Sequence, residues 1–261
     1  MKHPNMDREH LTETLRRAGF LNLHVEEACS RSGARVLGRR IGKDRATTVW
    51  RSLLAVREST GFHPLLTPLP PSMLVAGELA EPDVFDDRAV TAPREVVAEV
   101  TAAALADALA YAGEPDEAEE WRAEFDPQRL AQKILPEPEP VRIREFLPDW
   151  LCLVETRDGW SVPQLLPGYP YAPNWEHGPE GRPMLDSDHV AFLHTWHDRF
   201  RAELLFVSER VLMLDVARPP QEPLAVAEAA IEQYAYCPDA SDPVTYAKRQ
   251  SQNRTWQFAW D

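Results

Sequence analysis

A run of alternating proline and glutamate divides the sequence into two parts. The run reads LPEPEP and spans residues 135–140. Proline has no backbone N–H for a helix or a sheet and favours an extended backbone, so the run predicts a stiff connector rather than a core element. We therefore expect a connector over residues 135–147. It separates an N-terminal unit (1–85) and a helical segment (86–134) from a C-terminal domain (148–261).

The C-terminal part has the clearest pattern of elements. Apolar runs predict strands over residues 150–155, 204–207, 211–216 and 255–260. In the last run Trp256, Phe258 and Trp260 alternate with other residues, which is typical of a strand with one buried face. Two main helices are predicted, one from Ser187 or Asp188 to Phe200 and one beginning at Pro223.

The resulting β-α-β-β-α-β order matches the ferredoxin-like plan. In that plan two helices cover one face of a four-stranded antiparallel sheet. Right-handed connections would place the first and third strands in the centre. The predicted fold class is α+β: a ferredoxin-like C-terminal domain, an N-terminal α-β-β-α-β unit and a helical middle segment.

The middle segment is strongly acidic. Residues 81–140 carry 16 acidic and 5 basic side chains, within a chain of net charge −14. Affinity for nucleic acid comes mainly from Lys and Arg, so no nucleic-acid partner is expected. An acidic face suits a basic protein partner, although the same charges also serve simply to keep a helical surface hydrated.

Membrane insertion and secretion are also not expected. No apolar run approaches the ~20 residues of a membrane span. The first residues, MKHPNMDREH, lack the apolar core of a signal peptide. The sequence therefore predicts a cytoplasmic protein.

The first candidate site is the long loop over residues 161–186. Loops of this length without regular structure are usually functional or disordered, and its aromatic content argues against disorder. The loop leads into a helix start, where backbone N–H groups can receive an anionic group. Its candidate ligand or partner-binding residues are Tyr169, Tyr171, Asn174, Trp175 and His177. The alternative is that these aromatic side chains pin the loop onto the other part of the protein.

The second candidate is the turn containing Cys237 and Asp239. The helix dipole is negative at a helix C-terminus and does not stabilise a thiolate, so a nucleophilic role for Cys237 is disfavoured. Asp239 suits the capping of a turn or of the next helix. Cys29, Cys152 and Cys237 are far apart in the sequence and form neither a disulfide framework nor a zinc motif.

No metal or cofactor site is predicted. His194 and His197 are three residues apart and His189 is near them, but no Glu or Cys nearby completes a ligand set. The phosphate-binding, dinucleotide-binding, nucleophile-elbow and zinc-protease motifs are absent from the sequence.

Three C-terminal stretches resemble the bacterial domain-of-unknown-function family DUF4253. They are TWHDRFRAELLFVSERVLMLDVARPP, AVAEAAIEQYAYCPD and WQFAWD, and the upstream VWRSLLAVRESTGFHPLL is similar to a further family element. The family pattern is W-x-x-RFGA, and this chain has Arg201 where the pattern has Gly. It also has Asp215 where a small or polar residue is expected. The resemblance implies no activity, because none is established for the family.

Two functional hypotheses follow, and the residues leave open whether the protein is an enzyme. The first is a protein-binding or accessory module, of the kind that immunity proteins represent, using the acidic segment and the aromatic loop. The second is a small-molecule enzyme or ligand sensor. Its pocket would lie between the 161–186 loop and the 237–239 turn.

Overall fold

The computed structural model describes residues 8–18, 20, 25–76, 89–134, 148–166, 170, 172, 183–238 and 242–260. The described strands are β1 (Glu26–Cys29), β2 (Arg35–Arg40), β3 (His63–Thr67), β4 (Trp150–Val154), β5 (Ala202–Val207), β6 (Val211–Val216) and β7 (Thr255–Ala259). The described helices are α1 (Arg8–Arg17), α2 (Lys43–Leu54), α3 (Arg57–Thr60), α4 (Pro71–Ala76), α5 (Pro93–Tyr111), α6 (Pro115–Glu124), α7 (Pro127–Ala131), α8 (Val162–Leu165), α9 (Asp186–Phe200), α10 (Pro223–Tyr236) and α11 (Pro243–Arg249).

The seven strands form one mixed sheet in the order β1-β2-β4-β3-β5-β6-β7. Neighbouring strands are antiparallel except for β3 and β5, which are parallel and meet at Leu66 and Phe206. Strands from both sides of the predicted connector therefore share one sheet. The connector itself, the LPEPEP run, lies outside the described residues.

The predicted ferredoxin-like strand order is not what the sheet shows, although the α+β class is confirmed. That prediction places β4 beside β6 in a four-stranded antiparallel sheet. Instead β4 pairs with β2 and β3, and β6 pairs with β5 and β7. The physical reason is that β3, an N-terminal strand, occupies the position between β4 and β5. All five residues of β3 are buried. An all-buried strand is typical of a sheet interior, but the pattern does not identify the neighbouring strands.

Helices cover both faces of the sheet. On one face, side chains such as Leu65, Cys152 and Leu214 pack in a core with the helices α5, α9, α10 and α11. On the other face, Leu66 and Leu151 pack with residues of α1 and α2. This division follows from the strand period of two, which sends successive side chains to opposite faces. The molecule thus has three layers, with a helical layer on each side of the sheet.

Most helices lie close to their predicted positions. The three helices of the acidic segment, α5 to α7, are present, and proline occupies the first turn of each. The structure adds two helices that were not predicted, α4 and α8, the second within the predicted loop over residues 161–186. Ala92 is the N-cap of α5, and no side-chain capping bond forms there.

A cluster of charged side chains joins the N-terminal unit to the C-terminal domain. Arg57 Nη1 lies 2.5 Å from Glu203 Oε1, and His197 Nδ1 lies 3.3 Å from the same oxygen. Burial would raise the pKa of Glu203, but the hydrogen bonds from His197 and Arg57 outweigh it and lower that pKa. The ion pairs therefore hold α3, β5 and α9 together.

Candidate functional site

The predicted loop site lies largely outside the described residues. Tyr169, Tyr171, Asn174, Trp175, His177 and Asp239 all belong to the undescribed parts of the chain. Cys237, the end of the loop from residue 183 onward and its start over residues 161–166 are described, and the start contains the helix α8 where a loop was predicted. Whether the six residues form a site therefore stays a prediction.

The structure brings the end of the loop close to the predicted turn through two buried side chains. The loop leads into the first turn of α9, where His189 lies. His189 Nδ1 is 2.7 Å from the hydroxyl oxygen of Tyr236, the last residue of α10 and the neighbour of Cys237. Burial lowers the pKa of His189 to about 4, with Asp188 opposing it, so the imidazole is neutral at pH 7. The pair acts as a polar link inside the core.

Cys237 has a structural role in this arrangement. Its Sγ donates to the carbonyl oxygen of Ala259 at 3.3 Å, on the outer edge of β7. The side-chain oxygen of Gln250 accepts from the backbone N–H of Gln257 on the same strand. The thiol and the amide thus cover an edge strand that would otherwise present unpaired backbone groups.

A groove of about 520 Å³ lies between α5, α9 and α10. Side chains from α5 line one wall at helical spacing, among them Val97, Ala98, Ala102 and Leu105. Residues three and four apart share one face of a helix, so Ala98, Ala102 and Leu105 form an apolar stripe, with Val97 and Thr101 beside it. Phe125, which follows α6, also lines the groove. A volume of this order suits a drug-sized molecule.

The polar part of the groove is an ion-pair network between α9 and α10. Arg199 donates through Nη1 to Glu232 Oε1, and through Nη2 to Glu228 Oε2 at 2.9 Å. Trp196 Nε1 donates to Glu232 Oε2 at 2.9 Å. The Arg199 guanidinium also lies over the ring of Phe200, 4.6 Å from its centroid. These contacts fix the positions of both carboxylates.

Two buried side chains at this network, Glu232 and Thr195, differ from surface side chains in pKa and in hydrogen bonding. Burial raises the pKa of Glu232, and its contacts with Arg199 and Trp196 oppose the increase. Thr195, one turn before Arg199, is only 2% exposed. In the described structure its hydroxyl oxygen is buried without a hydrogen-bond partner. Buried hydroxyl groups are normally satisfied, so this one is an exception beside the groove, which Thr195 also lines.

The histidines do not form a metal site. His194 stacks on Trp160 with ring centroids 4.2 Å apart, and His197 contacts Glu203. Within the described residues, no group of three or more His, Cys, Asp or Glu side chains is arranged to hold a metal ion.

The sequence analysis missed the groove residues, although signals for them exist. Trp196 and Arg199 belong to the W-x-x-R-F stretch on which the family resemblance depends. Glu228 and Glu232 are four residues apart on a predicted helix and so share a face. The sequence contains no sign that α9 and α10 bring these four side chains together.

Fold and groove together define an α+β protein with a sheet covered on both faces and a groove in one helical layer. Residues 150–261, which include α9 and α10, match the model of the family described as Domain of unknown function (DUF4253). The resemblance seen in the C-terminal motifs is therefore confirmed. Comparisons with curated proteins and with solved structures each found no match. None of the described helices is both long enough and apolar enough to cross a membrane.

Proposed function

We propose that this protein binds a small molecule in the groove between α5, α9 and α10. The observation that carries the proposal is the combination of an apolar wall with a fixed Arg199–Glu232 pair at the base. Sites for small molecules are typically concave and mostly apolar, with a few precisely placed polar groups. The proposal keeps the ligand-binding hypothesis of the sequence analysis but moves it away from the 237–239 turn.

The geometry supports binding more strongly than catalysis. Arg199, Glu232 and Trp196 engage one another, and these contacts occupy the groups that a reaction would use. His189 and Tyr236 are an acid–base pair by type, but His189 is 3% exposed and Tyr236 is fully buried, so neither side chain is open to a substrate. A sensor or carrier of a small molecule fits this arrangement.

Retention of a small molecule from a cell extract tests the proposal. The purified protein is incubated with the deproteinised small-molecule fraction of its native cells, re-isolated by gel filtration and analysed by mass spectrometry. The matched variants are Ala102→Trp and Ala106→Trp on α5. Both positions are exposed, and Ala102 lines the groove. We expect the first variant to lose the retained molecule and the second to keep it. Equal retention by both variants would refute the groove as the site.

A protein partner remains the second proposed function, favoured by one specific observation. Tyr111, at the end of α5, is 88% exposed. The exposed acidic residues Glu114 and Asp116 follow it at the start of α6. An aromatic anchor beside carboxylates suits the basic accessory partner predicted from the charge distribution. Incubation with the macromolecular fraction tests this: a partner that binds wild type and not Tyr111→Ser supports it.

Not all acidic residues of the segment are available to such a partner. Glu119 Oε1 is 2.7 Å from Arg129 Nη1, and Glu117 accepts a hydrogen bond from the backbone N–H of Gly113. Charge reversal at Glu120, which is exposed on α6, is therefore the cleaner test of electrostatic attraction. A bacterial origin and a cytoplasmic location stay predictions of the sequence.

A further inference from the structure

The charges at the base of the groove indicate a class of ligand. Glu228 and Glu232 share a single cation, the guanidinium of Arg199. Arg94 also lines the groove, but its side chain is exposed and its charge is screened by water. Among the described residues that line the groove, two carboxylates thus match two guanidinium groups, but only Arg199 lies between the carboxylates and donates to both.

Hydrogen-bond acceptors are available there. Arg199 engages Oε2 of Glu228, whose side chain is 45% exposed and therefore open to a ligand in the groove. A carboxylate oxygen can accept two hydrogen bonds. The hydroxyl of Thr195, buried on the same face of α9 as Arg199, is a further acceptor and has no partner within the described residues. These three observations describe a site for a group with several N–H donors.

We infer that the ligand is a protonated amine with an apolar body, its ammonium group bound by Glu228 and the Thr195 hydroxyl. The inference rests on the proposed function and names the ligand class of the same groove. The apolar body lies along the stripe of α5 that includes Ala98, Ala102 and Leu105.

An anionic ligand fits the groove less well. Both Nη atoms of Arg199 already donate to carboxylates. A ligand carboxylate that took Arg199 would leave Glu232 buried without its cation, which is costly for a charged group. It would otherwise depend on Arg94, which is exposed to solvent.

Three probes of one shape test the inference: 4-phenylbutylamine, 4-phenylbutanol and 4-phenylbutyrate. Binding to the full-length protein is measured by calorimetric titration. We expect the amine to bind at least about tenfold more tightly than the other two, since charge-assisted hydrogen bonds are stronger than neutral ones. Glu228→Gln should weaken the binding of the amine by about tenfold. The control Glu222→Gln, at the exposed N-cap of the same helix, should leave its affinity unchanged.

Thr195→Val separates ligand binding from a structural role. The valine removes a buried hydroxyl that has no partner, so the free protein should keep or raise its Tm. Binding of the amine should nevertheless weaken several-fold, because one acceptor is lost. A variant that loses stability and keeps full affinity for the amine would overturn the role of Thr195 in recognition.

The outcomes distinguish the ligand class from the groove itself. If the alcohol or the carboxylate binds as tightly as the amine and Ala102→Trp blocks both, the amine inference is wrong and the groove proposal stands. If no probe binds but Ala102→Trp still loses the molecule retained from the extract, the amine inference is again wrong and the groove proposal again stands. If all probes bind Ala102→Trp as well as wild type, both proposals are wrong.

Discussion

His189 Nδ1 lies 2.7 Å from the hydroxyl oxygen of Tyr236, which links the first turn of α9 to the last turn of α10. Both side chains are almost completely buried, at 3% and 0% exposure. The link joins two of the three helices that form the groove. Burial disfavours the protonated imidazole of His189, and its hydrogen-bond partner, the Tyr236 hydroxyl, is neutral. Protonation of His189 should therefore destabilise the fold in acid.

We predict a loss of stability in acid that depends on His189. Burial lowers the pKa of the folded histidine from 6.5 to about 4, so the unfolded state binds more protons between these values. The stabilising contribution is therefore present above pH 6.5 and is lost as the pH falls toward 4, by on the order of 3 kcal/mol. Urea unfolding of wild type and His189→Gln across this range measures it. The stability advantage of wild type over the variant should shrink in acid, and a constant difference would contradict the prediction.

The pair of Arg199 and Glu232 should show strong energetic coupling. Replacing Arg199 by Met leaves the Glu232 carboxylate without its cation and should cost about 3 kcal/mol of unfolding free energy. Glu232→Gln keeps an acceptor for the Trp196 indole and should cost less. The double variant should be more stable than the sum of the two losses by at least about 1 kcal/mol, measured by urea unfolding at pH 7. Additive losses would mean that the ion pair contributes little to positioning the carboxylates.

The residue that departs from the family pattern has an unusual backbone conformation. Arg201, at the C-cap of α9, has φ 54° and ψ 42°, in the left-handed region. Glycine adopts this region without steric cost, and Gly is the residue that the resemblance to the family predicts here. We predict that Arg201→Gly raises the unfolding free energy by about 1 kcal/mol. Arg201→Ala, which removes the side chain but keeps the strain, should give no gain. A loss of stability in the glycine variant would contradict this account.

Gly159 is required by the close approach of a buried histidine. A Cβ atom at this position would lie 2.3 Å from Cε1 of His63, whose ring is fully buried against β5. His63 Nε2 lies 2.9 Å from the carbonyl oxygen of Leu204, so the ring cannot move away freely. Gly159→Ala should lower the unfolding free energy by about 2 kcal/mol.

The matched control for this substitution is Gly42→Ala. Gly42 has an ordinary φ of −77°, and no atom lies within 4 Å of a Cβ placed there. Because Gly42 is the N-cap of α2, where Ala is less favourable than Gly, we expect a small decrease in its unfolding midpoint in urea, well below that of Gly159→Ala. Similar losses in the two variants would show that the contact with His63 is not the cause.

Local pattern was sufficient to predict most elements. The alternation of Trp256, Phe258 and Trp260 identified β7, and all three side chains are buried. Pro223 was expected to begin a helix, and it is the first residue of α10. Periodicity and capping act within a few residues, which makes such features readable from the sequence.

Pairing between distant segments could not be predicted in the same way. Nothing local to His63–Thr67 indicates that β3 inserts between β4 and β5, because an all-buried strand pattern fits several positions in a sheet. The groove could not be predicted for the same reason, because it also depends on contacts between distant segments. Arg199 and Glu232 are 33 residues apart, and their contact depends on how α9 and α10 pack.

The indole N–H of Trp196 reports most directly on the groove, because it donates to Glu232 at the base of the groove. The internal control is Trp50, whose Nε1 donates to the carbonyl oxygen of Pro64 and whose side chain belongs to the core on the opposite face of the sheet. We would record indole ¹⁵N–¹H spectra with and without the small-molecule fraction, assigning each signal by Trp→Phe substitution. Binding in the groove predicts a shift of the Trp196 signal, an unmoved Trp50 signal, and no shift of Trp196 in Ala102→Trp. If the protein retains a molecule and the Trp196 signal does not shift, binding in the groove between α5, α9 and α10 is contradicted.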